Sequence, residues 1–506
     1  MESVLGGLLE ILRAETLLLI CAGTVAGVLV GALPGLSSSM AVALLLPFSI
    51  YLEPIPAIAM LAALYCAGTF GGSITAILIN APGAPPAAAT ALDGYPLAKA
   101  GKAGQALGMA AASSVVGGIF SLFVLILAAP TLARLAYKFG PPEYFALTVF
   151  GLSMLASISG NSAVKNLIGG AFGVLIATVG VDLTTGVERF TFGIPELYEG
   201  ISFIPVLIGL FAMAELLKQA GHADLALERF SVRAMKLPSL ADFRRVWKTI
   251  LRSSGIGTFI GVLPAEGATV AAMVGYNEAR RWSRNKDNFG KGELEGVAGP
   301  ETANNAATGG AMVPTLALGI PGSATAAVIL GGLQIHGLRP GPYLFESQPT
   351  LLYAIFFAML IANFVFLAFG LAGARYFSRI SLIPRQFLWP AVFCLCVIGA
   401  YGVGQSLADV YIMLVAGLIG YFLNRSGFSP APIIMGIVLG SLMENSLAQS
   451  MILFDQDAWR FFTRPIAVFF FLLATLSVFA APIGRFIRHR LARRRDSAVR
   501  RAHGGE

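Results

Sequence analysis

The feature that most limits what this chain can fold into is the recurrence of uncharged apolar runs. Stretches such as Phe120–Pro130 and Ile466–Ile483 carry no charged residue. Hydrophobic runs of about 20 residues, the length a helix needs to cross a bilayer, return along the whole sequence. Of the 506 residues, 56% are hydrophobic and only 12% are charged, against about 25% charged in ordinary globular chains. In hydrocarbon every backbone polar group must be bonded within the protein, which favours helices. The sequence therefore predicts an all-α polytopic membrane protein.

The formal charge of +8 is not a nucleic-acid signature. The excess lies in a few inter-helix loops and in the tail Arg485–Arg501, as the positive-inside rule produces. Met1–Arg13 has an acidic residue at Glu2, no basic leading region and no small-residue cleavage site. It reads as a short amphipathic helix rather than a secretory signal. Cys21, Cys66, Cys394 and Cys396 all sit in apolar segments and read as packing residues.

Glycine (58 residues) and proline (27) cluster in the middle of apolar segments. Backbone breaks at membrane depth are tolerated only where protein or a water-filled cavity shelters the freed groups. The breaks also repeat. Gly27-Val-Leu-Val-Gly-Ala-Leu-Pro-Gly35 matches Gly257-Thr-Phe-Ile-Gly-Val-Leu-Pro-Ala265, and Gly71…Pro82-Gly83 matches Gly310…Pro321-Gly322 in the same order. The polar loop Arg280–Glu295 absorbs the extra residues of the second half. The chain reads as a duplication joined within Leu217–Arg252.

Basic residues set the expected orientation. Arg229, Arg233, Lys236, Arg244, Arg245 and Lys248, the loop from Arg280 to Lys291, the segment Arg375–Arg385, Arg425 and the tail should face the cytoplasm. Between the first two loops lie only segments about 246–264 and 267–280, meeting at Pro264. Either they are two crossings with a tight turn or a re-entrant hairpin, and the shortness of the second favours the hairpin. Their counterparts, about 14–34 and 37–52, turn at Pro34-Gly35 and should enter from the other side. A broken helix at about 55–98 and helices at about 103–129, 143–160, 164–182 and 199–217 then bring the chain back to the cytoplasm, although Arg134 and Lys138 fall outside. Five helices follow Pro349. The expected organisation is a first inverted repeat over 1–217, a basic connector over 218–245, a second repeat over 246–450, and a final helix and tail over 451–506.

The breaks carry the candidate site. Pro34, Gly35, Ser37, Ser38, Gly72, Ser73, Asn80, Pro82 and Gly83 in the first half, and Pro264, Gly267, Thr269, Asn304, Asn305, Pro321, Gly322 and Ser323 in the second, are expected to bind substrate. Glycine admits a ligand to backbone N–H groups, and hydroxyls and amides give donors to a carboxylate and acceptors to a cation. Helix N-termini exposed at a break favour an anion. Ser39, Thr69, Thr75, Glu266, Thr308 and Thr325 are expected to serve the coupling ion, with Glu266 as proton carrier or Na⁺ ligand. Small residues also serve close helix packing. For a single glycine that reading prevails, whereas recurrence at matched places in both halves favours a ligand role.

Glu301 reads as a polar helix-end residue, Asp93, Glu53, Glu196 and Arg339 as loop residues, and His336 as no ligand. No nucleophile-plus-base arrangement and no phosphate-binding Gly-rich loop with Lys-Ser/Thr is present, so the chain is not expected to be an enzyme or to hydrolyse ATP.

At Gly31-Ala-Leu-Pro-Gly-Leu-Ser, Gly71-Gly-Ser-Ile-Thr-Ala-Ile-Leu-Ile-Asn-Ala-Pro-Gly, Asp93-Gly-Tyr-Pro, Pro300-Glu-Thr-Ala-Asn-Asn-Ala and Leu318-Gly-Ile-Pro-Gly-Ser the sequence strongly resembles the large membrane subunit of tripartite tricarboxylate transporters, the TctA family. The resemblance covers about 14–450. It implies a bacterial inner-membrane permease for carboxylates, multi-pass with its C-terminus cytoplasmic, driven by Na⁺ or H⁺ and needing no resident cofactor. It also implies a small four-helix membrane subunit and a periplasmic solute-binding protein as partners. The two opposed hairpins are expected to clasp the carboxylate and move as an elevator-like block. A gated anion channel and another secondary transporter of small organic acids are the alternatives. The identity of the acid stays open.

Overall fold

A computed structural model describes residues 2–33, 35–157, 162–182, 185–220, 236–264, 267–380 and 385–479, with backbone alone for 220, 372–380 and 385–388. In chain order the first half comprises α1 (Glu2–Leu12), α2 (Ala14–Gly31), α3 (Ser38–Ser49), α4 (Pro54–Ile79), α5 (Ala87–Lys99), α6 (Ala103–Ala136), α7 (Pro141–Met154) and α8 (Ala163–Ala177). A short antiparallel ribbon, β1 (Gly180–Val181) with β2 (Glu188–Arg189), leads to α9 (Phe203–Ile208), a π turn at Gly209–Met213 and α10 (Ala214–Ala220). The second half comprises α11 (Leu240–Val262), α12 (Gly267–Trp282), α13 (Leu294–Leu318), α14 (Ala324–Ile335), α15 (Pro342–Ser347), α16 (Pro349–Ile380), α17 (Arg385–Gly404), α18 (Leu407–Arg425), α19 (Pro430–Leu453) and α20 (Pro465–Phe479).

Among the described residues, α2, α4, α6, α16, α18 and α19 are long and apolar enough to cross a membrane. α2, α6 and α18 carry Leu18, Phe123, Leu127, Val415, Leu418 and Phe422 exposed, an apolar surface suited to lipid rather than water. The chain is an all-α polytopic membrane protein. The four cysteines are free; Cys66 and Cys396 are buried and Cys21 half-buried, but Cys394 is exposed rather than packed.

Helix boundaries follow local chemistry. Pro54, Pro141 and Pro430 sit in the first turn, where the missing N–H costs nothing. Asn80 and Gly319 end α4 and α13 in left-handed conformation, φ 54° and 72°. Around the connector expected over 218–245, α10 runs to Ala220 and α11 begins at Leu240 under a Ser239–Asp242 capping box. Arg229, Arg233 and the tail Arg485–Arg501 lie outside the described residues, as do the side chains of Arg375–Arg385.

α4 and α13 form the centre. Along α4 the apolar window is 94% buried, and α13 is buried through most of its length. Glycine lets neighbouring backbones close on both. A Cβ at Gly23, Gly27 or Gly31 of α2 would come within 2.7, 2.7 and 2.5 Å of the Met60, Leu64 and Gly68 carbonyls of α4. In the second half Gly257 and Gly261 of α11 press on Ala303 and Ala307 of α13 in the same register. Likewise Gly71 meets Val28 where Gly310 meets Thr258, and Gly83 packs on Gly31 and Gly72 where Gly322 packs on Gly261 and Ala311. Each pair but that of Gly23 thus has a counterpart at the spacing of the sequence match. Without a hydrophobic drive between helices in lipid, such close backbone packing is what holds them together.

Candidate functional site

The helix ends created by the breaks converge on one cavity of about 590 Å³. Its wall contains the first residues of five helices: Ser37, Ser38 and Ser39 at α3, Pro86 at α5, Ala268 and Thr269 at α12, Ser323, Ala324 and Thr325 at α14, and Ser429 and Pro430 at α19. A helix N-terminus carries roughly half a positive elementary charge, although at α5 the Ala87, Ala88 and Ala89 N–H groups already donate to the Ala84, Pro85 and Pro86 carbonyls and α19 opens on Pro430, which has no N–H. Serine caps three of the five helices. Ser37 Oγ accepts from the Met40 N–H at 3.2 Å, Ser323 Oγ from Ala326 at 3.1 Å and Ser429 Oγ from Ala431 at 3.4 Å.

Both halves of the chain build the wall. Tyr65 Oη of α4 and Ser323 Oγ of α14 are hydrogen-bonded at 3.0 Å, and Ser37 and Ser39 share a hydrogen bond of 3.0 Å. Gly35 lies against the Gln219 amide and takes φ 87°, a left-handed conformation that strains any residue with a Cβ. Gln219 and Lys218 both donate to Glu215, at 2.8 and 3.2 Å, and Glu215 and Lys218 line the cavity.

Of the expected site residues, Gly35, Ser37, Ser38, Ser39, Thr69, Pro82, Gly83, Thr269, Ser323 and Thr325 line this cavity. Several of the others serve the backbone around it. Gly72 accepts the Gly83 N–H at 3.1 Å, folding the broken loop back onto α4. Thr75 offers its carbonyl to the N–H groups of Asn80 and Ala81, and exposed Asn80 is the left-handed cap. Gly267 packs on Gly261, Pro264 and Pro321 are buried, and the Gly322 N–H donates to Thr315 at 3.3 Å. Thr308 donates to the Asn305 carbonyl, Asn305 to the Glu301 carbonyl at 3.4 Å, and Asn304 is buried with both amide atoms unpartnered. Pro34 and Glu266 lie outside the described residues.

Two acids stand elsewhere than expected. Glu301 is not at a helix end but inside α13, fully buried, taking hydrogen bonds from Ser73, Thr90 and Ser114. Asp93 is not in a loop but within α5. It accepts the N–H groups of Gly290, Gly292 and Glu293 at 2.8–2.9 Å and the Tyr276 hydroxyl at 2.9 Å. Sequence reasoning also missed Tyr65, Glu215, Lys218 and the segment from Gly427 to Pro430 on the cavity wall. Only the last had a signal, a Ser-Pro helix start following a glycine.

Apolar spans around a cavity built from helix ends of both halves, with serine and threonine hydroxyls in its wall, have the design of a membrane transport protein. The sequence agrees: residues 17–435 match the tripartite tricarboxylate transporter TctA family, and the chain belongs to that family. It is 41% identical over 448 residues to an uncharacterized 52.8 kDa protein in the TAR-I ttuC′ 3′ region of Agrobacterium vitis, covering 88% of this chain and 89% of that one. A second A. vitis protein, uncharacterized, in the TAR-II ttuC′ 3′ region, is 40% identical over 211 residues, 42% of this chain and 87% of that one. No solved structure matches the chain.

Proposed function

We propose that this transporter component is the large permease subunit of a binding-protein-dependent secondary transporter. It imports di- or tricarboxylates, or related organic acids, with Na⁺ or H⁺ across the bacterial inner membrane. The observation that carries this reading is the convergence of five helix N-termini on one cavity. Helix dipoles gathered around one cavity suit a multiply charged anion without committing a bank of arginines to it. A small four-helix membrane subunit and a periplasmic solute-binding protein complete the system, and the C-terminus faces the cytoplasm.

Two inverted repeats fit the matched contacts of the halves. α6 and α16, which follow the broken segments in each half, run in opposite directions, with Ala111 against Gly370 and Gly118 against Asn363. The hairpins α2–α3 and α11–α12 then approach the substrate from opposite sides, and Ser37 and Thr269 at their turns bind it. They move with it as an elevator-like block.

Reconstitution of the chain with its two partner subunits tests the proposal. Saturable carboxylate uptake that follows an imposed Na⁺ or H⁺ gradient supports it. Flux that neither saturates nor accumulates against a gradient would make the protein a channel. Thermal stabilisation of the cognate binding protein across a carboxylate panel identifies the acid.

A further inference from the structure

Glu301 has an environment unlike that of Asp93, which is equally buried. Asp93 receives three backbone N–H groups, which can only donate, and a tyrosine hydroxyl. Glu301 is met only by aliphatic hydroxyls, one from each of three helices: Ser73 of α4 and Thr90 of α5 at Oε1, and Ser114 of α6 at Oε2, the last at 2.9 Å. A serine or threonine hydroxyl gives or accepts a hydrogen bond with equal ease. The same three groups therefore solvate the carboxylate as donors and, once one of them turns to accept, the neutral acid.

No Lys or Arg balances this carboxyl group among the described ion pairs. Of the elements packed against α13, α4 carries Tyr65 and Cys66, α5 carries Asp93, Tyr95 and Lys99, and α12 carries Tyr276, Glu278, Arg280 and Arg281. Tyr65 is hydrogen-bonded to Ser323, and Asp93 and Tyr276 to each other. α6 has no titratable residue between Lys102 and Arg134, α11 none beyond Arg252, and α14 none. Arg245 is paired with Glu293, and Tyr343 and Glu346 of α15 lie toward the other end of α13, where the Gly341 N–H reaches the Leu316 carbonyl. A carboxylate this deep and without a counter-charge is costly, and that cost is met by taking up a cation. The hydroxyls touch the carboxylate directly, so a metal ion would have to push them aside, whereas a proton needs no room.

We infer that Glu301 is the coupling-proton site: its carboxylate binds one H⁺ to become the neutral acid when substrate is loaded, and releases it on the other side. The inference rests on the proposed function. It explains how occupancy would reach the site, since Ser73 follows the cavity residue Thr69 by one turn of α4. It also supplies a link to movement. The three donors come from three different helices, so any displacement of α13 against them changes the number of hydrogen bonds and with it the affinity for the proton.

Two experiments decide it. In infrared pH titration of the purified chain in lipid, the carbonyl band of a buried protonated acid is expected to disappear as pH rises and to be missing in Glu301→Gln. A wild-type spectrum with no such titrating band, or one unchanged in E301Q, overturns the inference whether or not the chain transports carboxylates. In proteoliposomes of the complete complex with a pH-sensitive dye inside and citrate as the probe, proton entry is expected to accompany citrate uptake. E301Q should lose proton-driven accumulation while keeping citrate exchange, and Ser114→Ala, which retains the acid, should displace the pH profile. Citrate accumulation driven by Na⁺ with no proton movement, or equal proton-driven accumulation in E301Q, overturns the Glu301 assignment alone. Absence of uptake for any carboxylate overturns the proposed function, and this inference with it.

Discussion

Tyr65 Oη and Ser323 Oγ stand 3.0 Å apart in a buried hydrogen bond that joins positions 258 residues apart. One residue belongs to the central helix of the first half and the other caps α14 in the second, so the bond closes the cavity wall across the two halves. Tyr65→Phe keeps the packing and removes only the hydroxyl. It is expected to cost about 1 kcal/mol of stability, read from chemical denaturation in detergent. Ser323→Ala also removes the cap of α14 and should cost about 2 kcal/mol, and the double variant little more than Ser323→Ala alone, with a coupling of at least about 0.5 kcal/mol. Strict additivity would show that the two hydroxyls act independently.

The glycines of α2 and α11 are expected to separate into two kinds. Gly27→Ala places a methyl 2.7 Å from the Leu64 carbonyl and should destabilise the protein by about 1–3 kcal/mol. Gly257→Ala, its counterpart against Ala303, should behave alike. Gly255→Ala on the same helix α11 meets nothing within 4 Å and should stabilise by up to about 1 kcal/mol through helix propensity. Melting of the purified variants checks all three, and an equal loss in Gly255→Ala would contradict the packing argument.

Cysteines placed at Ser37 and Thr269, both on the cavity wall, should react with a water-soluble maleimide in a cysteine-free background and be protected by the transported acid. A cysteine at Ser73, fully buried beside Glu301, should stay unlabelled under the same conditions. Equal labelling with and without substrate at both cavity positions would remove them from the binding site.

Asp93 ties α5 to the loop that precedes α13 through three backbone N–H groups. Asp93→Ala strands those donors and should cost at least about 2 kcal/mol, since each bonds a charged acceptor. Asp93→Asn retains an acceptor oxygen and should lose less. Limited proteolysis within 283–293, faster in the alanine variant than in wild type, is the accompanying sign.

How far the sequence reached can be judged at particular residues. Run length and charge are local properties, and they determined by themselves that the chain is a helical membrane protein. Proline and glycine act on their own backbone, so the breaks near Gly35, Pro82 and Pro321 and their matched spacing were also legible. Which way a side chain points was not. Along α4 nearly every residue is buried, so no polar face distinguishes Thr69, which meets the cavity, from Ser73, one turn on, which meets Glu301. Asp93 and Glu301 were misplaced for the same reason. Their partners at Gly290–Glu293 and at Ser73, Thr90 and Ser114 lie far away in the chain, and only tertiary packing brings donors close enough to let a buried carboxyl exist.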